Sequence, residues 1–283
     1  MITQSEPLKV KDLKSDVKPI WCPGCGDFGV LNAMLKALTD LKLDPAYVAI
    51  ASGIGCSGRF PAFVNAYGFH GVHGRVLPLA TGIKVANPEL TVFAVGGDGD
   101  AFSIGAGHLP HAARRNVDIT YIVMDNEIYG LTKGQPSPTS PVGMEKKASP
   151  YGTYDIPLNP TAMVLSYGAT FVARGFSSQP RELTELIKRG VQHPGFAFLQ
   201  VISPCVTFYD TYARFKDIAA PIPEDHDSSD RAAAIKLAMT TDVQYLGVFY
   251  QEEQMSHHAR VDQVRDKAGS DFSLEDLLKR FVR

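Results

Sequence analysis

The chain is poor in several features that mark common protein classes. None of its apolar runs approaches the ~18 to 20 residues needed to cross a bilayer. The formal net charge of −2 creates no basic field for nucleic acid or anionic lipid. The N-terminal stretch "MITQSEPLKVKDLKSDVKP" lacks the apolar core of a secretory signal. We therefore expect a cytoplasmic protein without a membrane or nucleic-acid partner, and expect its four cysteines to stay reduced.

Strand-like apolar runs alternate with helical patterns along most of the chain. The predicted elements are a helix at 27–41, strands at 47–52, 90–100, 118–126, 170–175 and 196–203, and helices at 104–115 and 180–192. Such alternation predicts an α/β fold with a doubly wound, mostly parallel sheet, which binds ligands at the carboxyl ends of its strands. We assign residues 1–215 to this domain and residues 216–283 to a small, partly helical C-terminal extension.

The stretch "GGDGDAFSIGAG" ends the second predicted strand. Glycines at this place let the backbone approach a phosphate closely. The stretch lacks the lysine of a P-loop, and Phe102 stands where a dinucleotide-binding turn has its third glycine. Asp98 lies among these glycines, where a carboxylate would repel a phosphate unless a hard divalent cation bridged the two. The stretch therefore predicts a cation–phosphate site.

Two further oxygen ligands for such a cation follow the next predicted strand. Asn126 comes 28 positions after Asp98, and the chain turns there, so that a backbone carbonyl near Ile128 is a third candidate. The alternative interpretation is an ordinary glycine-rich turn with a capping aspartate and a turn asparagine.

The four cysteines form one pair and two single residues. Cys22 and Cys25 lie in "PIWCPGCGDFG", and Cys56 and Cys205 each follow a predicted strand. Four thiolates can hold an iron–sulfur cluster. A structural zinc site, a thioredoxin-like pair and buried free thiols are the alternatives, although zinc sites usually draw on two C-x-x-C pairs.

Two levels of family resemblance follow from these motifs. Gly97, Asp98, Gly99 and Asn126 resemble the metal–diphosphate motif of thiamine-diphosphate enzymes. Between Trp21 and Phe208 the chain resembles the β subunit of 2-oxoacid:ferredoxin oxidoreductases, of the 2-oxoglutarate type. The stretches that carry this resemblance are "WCPGCG", "GIGCSGR", "HGRVLPLATG", "GGDGD", "NEIYGLTKGQPSPT" and "ISPC".

The resemblance implies roles for individual residues. It implies a [4Fe-4S] cluster on Cys22, Cys25, Cys56 and Cys205, and Mg²⁺ on Asp98, Asn126 and the Ile128 carbonyl. The residues that it places against thiamine diphosphate are Ile54, Gly55, Cys56, Ser57, His73, Gly99, Asp100, Gly130 and Leu131. Without the resemblance, His73 would be interpreted as a structural histidine in a loop.

The resemblance also implies a partner, because one doubly wound domain takes up most of the 283 residues. The pyrimidine-side domain and its activating glutamate would belong to an α subunit, and we expect this chain to be inactive alone. We expect an (αβ)2 assembly that oxidatively decarboxylates a 2-oxo acid, forms an acyl-CoA with coenzyme A and passes electrons to ferredoxin.

Arg59 and Lys133 are the candidate contacts for substrate or coenzyme A, the alternative being that both are solvated surface charges. Two cations favour a dicarboxylate, which predicts reversible conversion of 2-oxoglutarate to succinyl-CoA. Pyruvate or a broad range of 2-oxo acids is the second choice. A non-oxidative thiamine enzyme subunit and a four-thiolate zinc interaction module are remoter alternatives. The Gly- and Pro-rich stretch 134–143 predicts a loop that covers the site.

Overall fold

An eight-stranded sheet forms the centre of the molecule in the computed structural model, which describes residues 1–4, 8–268 and 273–282. The strands of this sheet are β1 Val48–Ser52, β2 Tyr67–His70, β3 Thr91–Gly97, β4 Ile119–Asp125, β7 Phe171–Phe176, β8 Phe196–Ile202, β9 Ala219–Pro221 and β10 Gln244–Gln251. Their order across the sheet is β2-β1-β3-β4-β8-β7-β10-β9. Neighbouring strands run parallel except β7 and β10, which are antiparallel. A separate two-stranded hairpin joins β5 Ile128–Tyr129 to β6 Gln135–Pro136.

Helices cover both faces of this sheet. They are α1 Asp27–Asp40, α2 Val76–Ala86, α3 Asp98–Phe102, α4 Leu109–Arg115, α5 Pro160–Ser166, α6 Pro180–Gln192, α7 Tyr212–Ile218, α8 Arg231–Ala238, α9 His257–Ala268 and α10 Leu274–Lys279. None of the helices within the described ranges is long and apolar enough to cross a membrane. The predicted doubly wound α/β fold is confirmed.

The central strands are apolar on both sides because each side packs against helices. In β1, Val48 and Ile50 belong to the core that includes α1 and α6, whereas Ala49 and Ala51 belong to the core that includes α2 and α4. This alternation follows from the two-residue period of a strand. Burying each large apolar side chain contributes roughly 2 kcal/mol.

Close contact between α1 and the segment after β7 fixes the start of α1. A Cβ added to Gly29 would lie 2.3 Å from the Ser177 carbonyl oxygen, so only glycine permits this approach. Because α1 begins at Asp27, the approach also places the cysteine pair beside the carboxyl ends of the central strands.

Some elements differ from the sequence-based predictions. The strand predicted over 90–100 stops at Gly97, and α3 begins at Asp98. The helix predicted over 104–115 starts as a 3-10 turn, and regular α4 begins only at Leu109. β2, α2, α5, α9 and β10 were not predicted.

The predicted C-terminal extension, residues 216–283, is continuous with the sheet. It supplies β9 and β10, and Phe249 and Tyr250 of β10 are buried in the core. Phe215 lies within α7 and packs against Phe176, so helix and core both run across the residue chosen as the boundary. The assignment of residues 216–283 to a separate C-terminal extension stays a prediction.

Candidate active site

A cavity of about 450 Å³ opens at the carboxyl ends of β1, β3 and β4. This edge is where doubly wound sheets bind their ligands. The residues lining the cavity are Asp27, Ile54, Gly55, Cys56, Ser57, His73, Gly97, Asp98, Gly99, Asp100, Met124, Asn126, Ile128, Tyr129, Gly130, Leu131, Thr132 and Gln135. They include every residue predicted to contact thiamine diphosphate or Mg²⁺, so the fold brings that whole set together around one cavity.

Asp98 is a buried carboxylate at the start of α3, with 2% of its surface exposed. Burial, and then the charge of Asp125, raises the pKa of Asp98 to about 8. The Thr139 hydroxyl lies 2.9 Å from Asp98 Oδ2. Within the described part of the chain, no lysine, arginine or histidine forms an ion pair with Asp98. A divalent cation would offset this negative charge, so the site fits one.

Asn126 and Ile128 stand opposite Asp98 in a tight turn. The Ile128 backbone N–H donates to Asn126 Oδ1 over 3.0 Å, and Glu127 between them has a φ of 59°, in the left-handed region. Such asparagine turns fix the side-chain oxygen relative to the backbone. Carboxylate, amide and backbone carbonyl oxygens are the ligand types that Mg²⁺ accepts.

Asp100 organises the loops on the other side of the cavity. Its Oδ1 accepts hydrogen bonds from the Ile54 N–H at 2.8 Å and the Gly74 N–H at 2.7 Å, and His73 Nδ1 lies 3.0 Å away. Its Oδ2 is buried without a hydrogen-bond partner among the described residues. A Cβ added to Gly53 would lie 2.0 Å from that Oδ2, which shows how tightly the loop wraps the carboxylate.

The cysteines lie in three loops that contact one another at the same edge of the sheet. The Trp21 indole N–H donates to the Cys56 carbonyl over 2.7 Å, and the Gly26 N–H donates to the Pro204 carbonyl over 3.1 Å. The Ser203 hydroxyl donates to Asp27 Oδ1 over 2.6 Å. These bonds hold together the segments that carry all four cysteines.

The thiols share one electrostatic neighbourhood. Burial, and then Asp27, raises the pKa of the Cys56 thiol to about 11, and Cys205 and Cys22 act on it as well. The pKa of Cys25 is raised further by the same causes, with Cys205 and Cys56 contributing. Burial therefore favours the protonated thiols, and thiolates at these positions would need a cationic partner.

Gly130 is the point at which the cavity lining comes closest to two of the sulfurs. It lines the cavity, and a Cβ added to it would lie 3.6 Å from Cys205 Sγ and 3.7 Å from Cys56 Sγ. A group bound in the cavity would therefore lie close to whatever those sulfurs bind.

A zinc site and a cubane place different demands on how closely the cysteine sulfurs converge. Zinc needs its thiolates ~2.3 Å from a single ion. Across residues 1–4, 8–268 and 273–282, no three or more His, Cys, Asp or Glu side chains are placed to hold one metal ion. A cubane takes its thiolates at the separate corners of a larger core, which requires less convergence.

Arg59 and Lys133 lie outside the cavity wall. Arg59 is in the 3-10 turn after Cys56, and the exposed Lys133 is in the β5–β6 connection with a φ of 76°. Among the described residues, neither side chain forms an ion pair or a hydrogen bond with another residue. Both cations are therefore available to an anionic ligand, and the structure does not assign them one.

Four important residues were missed by sequence reasoning. Asp27 and Tyr129 line the cavity, and Asp125 and Thr139 bond to each other beside Asp98. The position of Asp27, two residues after Cys25 at a helix start, was an available signal. No feature of the sequence pointed to Thr139, because it lies in a stretch that we interpreted as a covering loop. The structure nevertheless buries it.

Comparison with known proteins places this fold and cavity in a class. Residues 51–201 match the family described as thiamine pyrophosphate enzyme, C-terminal TPP binding domain. Residues 205–266 match the family described as the C-terminal part of the pyruvate ferredoxin oxidoreductase beta chain. The first match covers more than half of the chain, and the second covers α7 and most of the structure that follows it.

Individual relatives narrow the class. The 2-oxoacid:ferredoxin oxidoreductase subunit beta of Saccharolobus solfataricus is 44% identical over 252 residues, covering 83% of each chain. The 2-oxoglutarate oxidoreductase subunit KorB of Mycobacterium tuberculosis is 47% identical over 208 residues, covering 74% of this chain and 56% of the relative. A solved 2-oxoglutarate:ferredoxin oxidoreductase from Magnetococcus marinus, with 2-oxoglutarate, coenzyme A and succinyl-CoA bound, superposes with a TM-score of 0.94 at 45% identity, covering 98% of this chain and 97% of that one.

The chain belongs to the family of 2-oxoacid:ferredoxin oxidoreductase β subunits. It is thus a subunit of an oxidoreductase that works with partner subunits, and the predicted family and enzyme class are confirmed.

Proposed function

We propose that this β subunit binds thiamine diphosphate through Mg²⁺ in the 450 Å³ cavity. The observation that carries the proposal is the shared wall, because Asp98, Asn126 and Ile128 line the same cavity as Cys56 and Gly130. Asp98, the Asn126 side chain and the Ile128 carbonyl would hold the cation. When bound, thiamine diphosphate supplies the carbanion chemistry that releases carbon dioxide from a 2-oxo acid.

A [4Fe-4S] cluster on Cys22, Cys25, Cys56 and Cys205 is the second part of the proposal. Burial raises the pKa of the Cys25 and Cys56 thiols, so these sulfurs would become thiolates only beside a cationic centre. The absence of a side chain at Gly130 keeps two of them beside the cavity. A cluster held by these four cysteines would supply one-electron transfer between the cavity and ferredoxin. Cys22 is exposed and therefore marks the solvent-facing side of the cysteine set.

We propose 2-oxoglutarate as the substrate and succinyl-CoA as the product, in a reversible reaction with coenzyme A. Two relatives named for 2-oxoglutarate support this choice, and so do the unpaired cations Arg59 and Lys133. Pyruvate or a broad range of 2-oxo acids is the second candidate, since one matching family is named for pyruvate and another relative for 2-oxo acids in general.

An α subunit would complete the site in an (αβ)2 assembly. The sheet and the helices on it account for most of the described residues, and the relatives' description as subunit beta supports a pyrimidine-side domain on a partner chain. Three exposed apolar side chains support a partner there: Val72 is 71% exposed, Ile104 52% and Leu131 39%. Val72 precedes the cavity-lining His73, Ile104 contacts Gly74, and Leu131 lines the cavity itself.

Anaerobic co-purification with the partner subunit tests the proposal. We expect four irons and four sulfides per β chain, and an absorption band near ~400 nm that 2-oxoglutarate plus coenzyme A bleaches. Methyl viologen reduction with 2-oxoglutarate, pyruvate and 2-oxobutyrate then ranks the substrates. A colourless complex that decarboxylates a 2-oxo acid would indicate non-oxidative chemistry, and stoichiometric zinc without iron would overturn the cluster.

Arg59→Leu and Lys133→Leu test the substrate assignment in the same assay. If these cations bind the distal carboxylate, the KM for 2-oxoglutarate rises more than the KM for pyruvate. If they bind coenzyme A, its KM rises with every 2-oxo acid. Unchanged constants in both variants would remove them from the site.

A further inference from the structure

The Thr139 hydroxyl lies between two buried carboxylates. Its Oγ1 is 2.9 Å from Asp98 Oδ2 and 2.9 Å from Asp125 Oδ1. The exposed fractions are 6% for Thr139, 2% for Asp98 and 4% for Asp125, so water has little access to any of them. A hydroxyl has one hydrogen, and it donates that hydrogen to one carboxylate at a time.

Asp125 is held from its other side by a buried polar chain. Gln200 Nε2 donates to Asp125 Oδ2 over 2.8 Å, and Arg174 Nε donates to Gln200 Oε1 over 3.0 Å. The Glu127 N–H also donates to Asp125 Oδ1, over 3.2 Å. Asp125 therefore keeps two donors when Thr139 turns to Asp98.

The loop that carries Thr139 is fastened to the turn that carries the other proposed ligands. The Ser140 hydroxyl donates to the Glu127 carbonyl and accepts the Ser137 N–H over 2.8 Å. Glu127 lies between Asn126 and Ile128. The position of Thr139 is thus fixed relative to all three proposed ligands.

We propose that Thr139 is a positioning residue, whose hydroxyl fixes the rotation of the Asp98 carboxylate so that one oxygen faces the cation. The inference rests on the proposed Mg²⁺ site. Thr139 bonds Oδ2 of Asp98, and Ser137 and the Asn126 N–H add further hydrogen bonds to the same carboxylate. Partners that orient a metal ligand typically contribute ~10- to 100-fold to metal affinity.

The test uses the complex of this chain with its partner subunit, stripped of metal and thiamine diphosphate. Isothermal titration of thiamine diphosphate at a series of Mg²⁺ concentrations gives the Mg²⁺ concentration for half-maximal binding. Thr139→Val keeps the shape and removes the hydroxyl, so we expect that concentration to rise ~10- to 100-fold. Thr139→Ser keeps the hydroxyl and should restore the wild-type value.

Thr241→Val is the matched control, because it makes the same replacement at an exposed position in the connection between α8 and β10. We expect it to keep wild-type Mg²⁺ affinity. Equal losses in Thr241→Val and Thr139→Val would overturn the inference, and so would wild-type affinity in Thr139→Val.

Two further measurements distinguish a folding defect, a missing metal site and a wrong role for Thr139. The melting temperature of each metal-free complex reports a folding defect, and Thr139→Ala replaces Thr139→Val if the latter does not assemble. Wild-type complex that binds thiamine diphosphate without any Mg²⁺ dependence would refute the metal site in the proposed function. Mg²⁺-dependent binding that Thr139→Val leaves unchanged would refute only the role of Thr139.

Discussion

The diphosphate corner and the cysteine corner of the cavity are built in different ways. We define the diphosphate corner as Asp98, Asn126, Ile128, Asp125 and Thr139, and the cysteine corner as the four cysteines. The first follows two adjacent strands, β3 and β4, and its side chains bond to one another and to Arg174 through Gln200. The second is gathered from three loops held mainly by backbone contacts. The sheet therefore preforms the first corner, whereas we expect the second to depend on its inorganic occupant.

The largest expected effect is in the cysteine corner. Cys205→Ser should lose most of the iron, and viologen reduction with it, because one ligand of the cluster is removed. Iron and sulfide analysis of the anaerobically purified complex measures this loss. Thr207→Ser, at an exposed position in the same loop, should keep full iron. Full iron in Cys205→Ser would contradict the assignment of this ligand.

Arg174→Met tests whether the diphosphate corner is preformed by the protein. The buried guanidinium bonds Gln200 and Thr161, and its charge acts on Asp125. Its removal should lower the free energy of unfolding by about 3 kcal/mol even without ligands. Urea denaturation of the metal-free protein measures this change.

Arg181→Met, at an exposed arginine of α6, is the control for this experiment and should change the free energy by less than ~0.5 kcal/mol. If Arg174→Met is no more destabilising than this control, the polar chain does not support the corner.

Asp98→Asn should weaken cofactor binding at the diphosphate corner and leave the cysteine corner unchanged. It removes the charge that the cation needs, so Mg²⁺-dependent thiamine diphosphate affinity should fall on the order of 100-fold. Residues that only orient a metal ligand typically contribute ~10- to 100-fold, and Asp98 is a proposed ligand itself. Iron content should not change, because the hydrogen-bond partners of Asp98 within the described residues are Thr139, Ser137 and Asn126, none of which lies in a cysteine loop. Calorimetry and iron analysis measure the two results, and Asp242→Asn, at an exposed position, is the matched control. Parallel loss of cofactor and iron would show that the corners are one unit.

Trp21→Phe should have the smallest effect. Phenylalanine keeps most of the packing against Phe28, Phe60 and Phe63 but loses the bond to the Cys56 carbonyl. We expect a destabilisation of about 1 kcal/mol and nearly full iron. Loss of most iron in this variant would mean that the cysteine corner depends on this single hydrogen bond more than its other contacts indicate.

The sequence predicted that Asp98 and Asn126 lie at the same edge of the sheet, because both positions follow from strand order. Asp98 and Asn126 each follow an apolar run, and adjacent parallel strands bring their ends together. It did not predict Thr139, because a hydroxyl in a Gly- and Pro-rich stretch has no periodicity to mark its burial.

Elements at the edges of the fold were also missed, for two reasons. The strand β10 joins the sheet antiparallel after an exposed connector, and nothing local indicates that β7 is its neighbour. The helix α2, "VLPLATGIKVA", carries Pro78 and Gly82, which interrupt the helical signal.

Gly130 limits what this site tolerates. An alanine there would place its methyl group at ordinary van der Waals distance from two sulfurs at once, in space that the proposed cluster would share. Glycine is the smallest residue available, so the backbone at this position approaches the two sulfurs as closely as a polypeptide allows.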